Sequence, residues 1–319
     1  MEYIIIILAL AGIVYGADYL VSGSVAVARR YKVSDFVIGA AIVGIGTSMP
    51  ELTVSFIGAI EGNSEVAIGN VVGSNIFNIL GILGITALFF PITVTKSNLR
   101  FEIPFCIFVS ILLTLLTFIS SGNAGGLLSR ADGWILLLTF AMFMWYSFYS
   151  DKKKKIAESN SDTEDTILRT PVWKAIIKIV GGLGLLILSC DIFVDKAVLI
   201  ARNLGLNDAF ISITLIACGT SLPELAASIM AAIKKNTQLA LGNILGSNIF
   251  NICLILGLSS QVTPLSSPDI PLSDYLVMIG ASLAVLILGY KGKIGRISGA
   301  LMVIAFVAYT WYLLYQQLL

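Results

Sequence analysis

Residues 12 to 91 of this 319-residue chain align with residues 185 to 264 at a constant offset of 173, without a gap. In that register Asp18 meets Asp191, Arg29 meets Arg202, Asp35 meets Asp208 and Pro91 meets Pro264. Nine of twelve positions agree between Gly69 to Leu80 and Gly242 to Cys253, which chance does not give. The duplicated sequence is apolar throughout, in a chain that is 57% hydrophobic and 12% charged, outside the balance of a soluble domain. Bands long enough to cross a bilayer fall near 3–28, 36–60, 66–90, 101–120 and 128–149, and again near 174–200, 209–233, 237–260, 271–290 and 295–316. Each copy thus holds five bands, an odd number, so the two must enter the membrane with opposite orientation. The expected fold is an all-α polytopic membrane protein of ten transmembrane helices, built as two inverted-topology five-helix repeats (1–150 and 172–319) joined by a cytoplasmic linker (151–171). Such repeats, when their helices are broken at matching positions, point to a secondary transporter with its site at the repeat interface near the midplane.

Charge supports that topology. Seventeen of the 20 lysines and arginines lie in or beside the loops after bands 1, 3, 5, 7 and 9, which places those loops in the cytoplasm and both termini outside. Glu61-Gly62-Asn63-Ser64-Glu65 is acidic where its counterpart Lys234-Lys235-Asn236-Thr237-Gln238 is basic, as opposite sides of a membrane require. The N-terminus carries Glu2 rather than a basic stretch and runs into a band too long for a signal peptide, so it reads as a first membrane helix. There is no histidine, which excludes imidazole proton relays and His-ligated metals, and the four cysteines lack zinc or haem spacing and read as small buried residues without disulfides.

Two heptapeptides carry the chemistry. Gly46-Thr47-Ser48-Met49-Pro50-Glu51-Leu52 returns as Gly219-Thr220-Ser221-Leu222-Pro223-Glu224-Leu225. A carboxylate at membrane depth costs ~2.5–3.5 kcal/mol even on the cheapest scale, so it marks a functional site by default. Helical spacing puts Thr47, Ser48 and Glu51 on one face. Pro50 lacks the N–H owed to Gly46 and crowds its carbonyl, so the helix should kink and free backbone oxygens. A second repeated stretch adds Ser74 and Asn78, four apart, with Gly73 permitting close helix approach, and its duplicate adds Ser247 and Asn251. Together these are carboxylates, amides, hydroxyls and carbonyls, an all-oxygen set suited to hard cations such as Ca²⁺ and Na⁺. Two carboxylates neutralise one Ca²⁺; when it leaves they demand Na⁺ or protons, which favours exchange over uniport. Mg²⁺ fits less well because it dehydrates reluctantly.

The paired Gly-Thr-Ser-x-Pro-Glu and Gly-Ser-Asn-Ile-Phe-Asn stretches in inverted five-helix halves resemble the alpha repeats of the cation/calcium exchanger superfamily, especially prokaryotic sodium/calcium exchangers. The resemblance covers nearly the whole chain. It implies a core of spans 2, 3, 7 and 8, across which spans 1 and 6 slide as a tilted pair. It also implies that Glu51 and Glu224 share a central Ca²⁺ with the carbonyls of Thr47 and Thr220. Ser48, Ser74, Ser221 and Ser247, with the carbonyls of Gly44 and Ala217, would complete flanking Na⁺ sites that again use Glu51 and Glu224, and Asn78 and Asn251 would close a central polar ring. Family exchange is typically three Na⁺ for one Ca²⁺. Asn251 stands where certain relatives have aspartate, a departure that argues for independence from potassium, and the short linker leaves no room for a regulatory calcium-binding domain.

The leading expectation is therefore an Na⁺/Ca²⁺ antiporter of the prokaryotic plasma membrane, not an enzyme. Its partners are Ca²⁺, Na⁺ and the bilayer, with no cofactor, no nucleic acid and a monomer as the expected state. A Ca²⁺/H⁺ exchanger is the rival within transport, and a calcium channel the rival outside it. Asp18 and Asp191 read either as acids lining an ion path or as solvated helix-end acids, the second being favoured. Lys152 to Lys155 read as a cytoplasmic anchor, the acidic residues of the linker as a solvated, mobile stretch, and Cys218 as a packing residue.

Overall fold

An apolar band in a bilayer has no water to satisfy its backbone, so it must close its hydrogen bonds within itself as a helix. The described parts of the apolar bands do this. A computed structural model describes residues 2–118, 126–158, 171–203, 219–266 and 270–318. In chain order the helices are α1 (Glu2–Tyr31), α2 (Asp35–Thr47), α3 (Met49–Ile60), α4 (Ser64–Phe89), α5 (Asn98–Phe118), α6 (Arg130–Glu158), α7 (Val172–Asn203), α8 (Leu222–Ile233), α9 (Thr237–Val262), α10 (Leu272–Gly289) and α11 (Arg296–Leu318). Among the described residues eight are long and apolar enough to cross a membrane, or nine when the pair α2 and α3, bent by 50°, counts as one span. The band expected at 209–233 is represented by α8 alone, whose 12 residues are too few to span; the rest of that band lies outside the described residues.

Burial divides the helices into two kinds. The most apolar stretches of α4 and α9 are 78% and 94% buried, whereas those of α1, α6, α7 and α11 are 28% or less. The two central helices are enclosed by the others, and the polar residues of the second repeated stretch, Asn70 to Asn78 and Asn243 to Asn251, sit on them. The outer helices expose Trp134, Trp145, Tyr149, Trp173, Tyr290, Trp311 and Tyr315, amphipathic rings suited to the membrane–water boundary. α1 and α7 form one packed pair: a Cβ on Gly16 would lie 2.9 Å from the Gly182 carbonyl, and one on Gly182 the same distance from that of Gly16. Small residues allow this backbone contact.

The bounds of α3 and α8, and of α4 and α9, are related by the same offset of 173 as the sequence. So are two short strands, β1 (Ile92–Thr93) and β3 (Leu265–Ser266), which follow Pro91 and Pro264. Neither strand pairs within its own half. β1 runs antiparallel to β4 (Lys293–Ile294), and β3 to β2 (Leu127–Leu128). Gln238 donates to the Thr93 carbonyl at 2.7 Å beside them, so the halves are interleaved.

Several features depart from expectation. The strands are too short for a period-two pattern to announce. α6 does not stop near residue 149; it continues through Lys152–Lys155 to Glu158, so the linker begins as helix, and 159–170 lie outside the described residues. Asp18 is no helix-end acid: it sits within α1 and pairs with Lys234, just past α8, at 2.6 Å. The chain also contains wide π-helical turns, at Gly39–Gly44 in α2, Phe77–Leu83 in α4, Asn98–Glu102 in α5 and Asn251–Ile255 in α9, which a 3.6-residue period does not foretell. Such turns concentrate at functional sites because they free carbonyls and re-aim side chains.

Candidate ion-binding site

The helix break expected at Pro50 is present. α2 ends at Thr47, Ser48 adopts φ −82° and ψ 12°, and α3 starts at Met49 with Pro50 in its first turn. The second copy does the same: Ser221 has φ −91° and ψ 8°, and α8 begins at Leu222 with Pro223. Proline belongs in a first turn because its missing N–H would be unused there. Each break places one glutamate in the first turn of the following helix.

Glu51 and Glu224 are both completely buried. The expectation that each shares a continuous helical face with its own Thr and Ser fails, because the break intervenes. The hydroxyl partners cross between the halves instead. Ser48 Oγ donates to Glu224 Oε1 at 2.7 Å, and Ser221 Oγ donates to Glu51 Oε1 at 2.8 Å. In both glutamates the other oxygen, Oε2, is buried without a hydrogen-bond partner. Among the described residues no lysine or arginine pairs with either carboxylate, and no cluster of three or more Asp, Glu, Cys or His forms.

Two further predicted residues are joined across the halves: Ser247 Oγ donates to the Gly44 carbonyl at 3.3 Å. They meet because α2 lies directly on α9. A Cβ on Gly246 would sit 2.4 Å from Ala40 Cα, and one on Gly242 2.2 Å from the Phe36 carbonyl. The Thr47 hydroxyl donates to the Val43 carbonyl at 2.9 Å and faces Asn243 Oδ1 at 3.3 Å. Ser74 is buried on α4, one turn before Asn78, and no hydrogen bond among the described residues joins it to the carboxylates. Asn78 and Asn251 are fully buried, and the Oδ1 of each lacks a partner. Ala217 and Cys218 lie outside the described residues.

Sequence reasoning passed over two supporting residues. Asn70 donates to the Glu51 carbonyl at 3.2 Å and to Ser55 Oγ at 2.9 Å, and Asn243 does the same to Glu224 and Ser228 at 3.2 and 2.8 Å. They fix the turn that carries each glutamate. The signal was available, since both stand second in the repeated twelve-residue stretches.

A cavity of about 750 Å³ opens between α3 and α7, lined by Pro50, Thr53, Cys190, Asp191, Asp195 and Thr220. Asp191 therefore lies within α7 and lines this cavity together with Pro50 and Pro223, the neighbours of the glutamates, rather than standing at a helix end. The offset relates this gap to the contact between α1 and α8, which is closed: there Lys234 bridges Asp18 and Ser22. The two halves thus differ: a cavity lies between α3 and α7, where the corresponding α8 and α1 are in contact.

A chain of membrane helices enclosing two cross-linked carboxylates has the architecture of an ion-coupled carrier. Residues 1–149 and 174–315 match the sequence model of the sodium/calcium exchanger protein family, and the chain belongs to that family of membrane antiporters. It is 37% identical over 324 residues to CaxA of Alkalimonas amylolytica, a protein to which antiporter activity is ascribed, covering 97% of this chain and 98% of that one. It is 34% identical over 346 residues to the sodium/calcium exchanger MaX1 of Methanosarcina acetivorans, covering 99% of each. The solved structure of the sodium-calcium exchanger NCX_Mj, soaked with zero Na⁺ and Ca²⁺, superposes with a TM-score of 0.82 at 31% identity over 98% of both chains.

Proposed function

We propose that the protein exchanges Na⁺ for Ca²⁺ by alternating access, three for one, electrogenically and without potassium. One observation carries the reading. Two buried carboxylates, each held through one oxygen by a serine of the other half, keep their second oxygens unpartnered, and two buried asparagine oxygens are in the same state. A group of acceptors with two formal negative charges and no basic partner calls for about two positive charges, which one Ca²⁺ or several Na⁺ supply. On this reading Glu51 and Glu224 bind Ca²⁺ with the carbonyls of Thr47 and Thr220. Ser48, Ser74, Ser221 and Ser247, with the carbonyls of Gly44 and Ala217, serve Na⁺ beside the same carboxylates, and Asn78 and Asn251 complete the ring. The matched bounds of α3 and α8 and of α4 and α9, the reciprocal serine bonds and the lysine and arginine bias support ten spans in two inverted repeats. They also favour a prokaryotic plasma-membrane location with both termini outside.

Ca²⁺ uptake into proteoliposomes tests the proposal. Uptake should follow an imposed outward Na⁺ gradient and persist without potassium. Uptake that ignores Na⁺ and follows a pH gradient would refute it, as would flux independent of any counter-ion.

A further inference from the structure

Four asparagines form a closed, symmetric group at the centre of the molecule. Asn75 Nδ2 donates to the Asn248 carbonyl at 3.2 Å, and Asn248 Nδ2 donates to the Asn75 carbonyl at 3.1 Å. Asn78 Nδ2 donates to Asn248 Oδ1 at 3.0 Å, and Asn251 Nδ2 to Asn75 Oδ1 at 3.2 Å. Asn75, Asn78 and Asn251 are 0% exposed and Asn248 is 1% exposed.

The directions of these bonds follow from chemistry. A carbonyl can only accept, so the atom of Asn75 that faces the Asn248 carbonyl must be its NH₂. A weak second acceptor, Met278 Sδ at 3.9 Å, lies near the same nitrogen. The remaining atom of Asn75 is then oxygen, and what meets it from Asn251 must be NH₂. That leaves Asn251 with only its oxygen to present. The same three steps from Asn248 leave Asn78 presenting only its oxygen. These are the two asparagine oxygens that are buried without a protein partner.

We propose that Asn75 and Asn248 are positioning residues that lock the amides of Asn251 and Asn78 with their oxygens toward the cation, making the centre of the site a pure acceptor surface. Without the lock either amide can turn over and present an NH₂ group, which repels a cation and can hydrogen-bond to a free carboxylate oxygen instead. Because each lock is made by a backbone carbonyl of the opposite half, cation affinity depends on the two halves staying in register. The inference rests on the site reading above, in which Asn78 and Asn251 face the ion.

A double-mutant cycle on the purified full-length protein tests it, with ⁴⁵Ca²⁺ equilibrium binding as the readout and maximal exchange rate in proteoliposomes as the second measurement. Asn251→Ala removes the ligand oxygen and should weaken Ca²⁺ binding about tenfold, and Asn75→Ala, which leaves the Asn251 amide free to turn, should weaken it by a similar factor. Combined, they should still cost about tenfold rather than about a hundredfold, because a positioning residue has nothing left to position. If Asn75→Ala does not fold, Asn75→Ser takes its place in the cycle, keeping a hydroxyl for the carbonyl while shortening the acceptor. Additive losses, or a fall in maximal rate at unchanged affinity, overturn the positioning role and leave the site reading standing. Unchanged affinity in Asn251→Ala overturns the site reading at that residue, and the positioning role with it.

Discussion

Replacing Glu51 by glutamine tests the core of the ion site, and its consequences can be worked through in two opposite directions. The carboxylate is completely buried, accepts one bond from Ser221, and leaves Oε2 without a partner. Glutamine keeps the shape and one oxygen but removes a charge. Breaking a buried charge pairing costs ~3–5 kcal/mol; at the lower bound, since an oxygen remains, Ca²⁺ affinity falls by at least about a hundredfold. A Ca²⁺ concentration one hundred times the wild-type Kd stabilises the folded protein by ~2.7 kcal/mol, and after a hundredfold loss the same concentration gives only ~0.4 kcal/mol. The Ca²⁺-induced rise in unfolding temperature should therefore shrink from several degrees to under about one degree. Without ions the order reverses. Two buried carboxylates with no basic partner destabilise the ion-free fold, so Glu51→Gln should unfold at a higher temperature than wild type in chelator. The pair of melting curves, with and without Ca²⁺, is measured in detergent alongside Na⁺-driven Ca²⁺ uptake, which should be abolished. A variant that keeps the wild-type Ca²⁺ shift and near-normal uptake would falsify the assignment of Glu51, and equal behaviour in Glu224→Gln would remove the site.

Asp18→Asn should change access rather than stability. The Asp18–Lys234 pair is 2.6 Å long but partly solvated, so its loss costs ~0.2–1 kcal/mol; a bias of that size favours closure of the cavity between α3 and α7, and thiol reagents should label Cys190 up to about fivefold more slowly in a Cys218→Ser background. Gly246→Ala forces a Cβ to within 2.4 Å of Ala40 Cα and should destabilise the fold by ~1–3 kcal/mol in thermal unfolding, whereas Gly181→Ala meets nothing within 4 Å and should be neutral or stabilising. If one net charge moves per cycle, a 100 mV potential imposed with a potassium ionophore shifts the equilibrium by ~2.3 kcal/mol, about fiftyfold in the Ca²⁺ gradient; a gradient insensitive to voltage would exclude three-for-one exchange.

The duplicated stretches were legible because apolar periodicity and identity at a fixed offset are properties of sequence alone. They located Glu51, Glu224 and both helix breaks, whose cause, a proline without an N–H, is also local. What they could not give is which group faces which. Thr47, Ser48 and Glu51 looked like partners because helical spacing puts them on one face; the break at Ser48 turns the serine toward Glu224 instead, 176 positions away. The π-helical turn at Phe77–Leu83 begins one residue after Ile76, inside an apolar run that reads equally well as α-helix. Asp18 shows the same limit from the charge side. Its partner Lys234 was assigned to a loop, and only the packing of α1 against the end of α8 brings the two together.

The crossed bonds bear on how such a site could change its access without falling apart. Among the described residues, the hydrogen bonds that hold the carboxylates and asparagines run among residues of α2, α3, α4, α8 and α9 and the breaks between them, apart from the weak contact of Asn75 with Met278 on α10. None involves α1 or α7. Those two helices pack on each other backbone to backbone at Gly16 and Gly182; α1 forms the wall latched to Lys234, and α7 lines the cavity beside α3. Moving the pair as one body would open the first wall and close the second while leaving each serine on its glutamate. The offset also makes the two walls chemically unequal. Where α1 offers Asp18 and Ser22 to Lys234, the equivalent positions are Asp191, Asp195 and Glu61, three acids that cannot form the same latch. Closing the wall at α7 therefore lacks the ion pair that closes the wall at α1, and a cation held at the carboxylates would supply positive charge that attracts that acidic side.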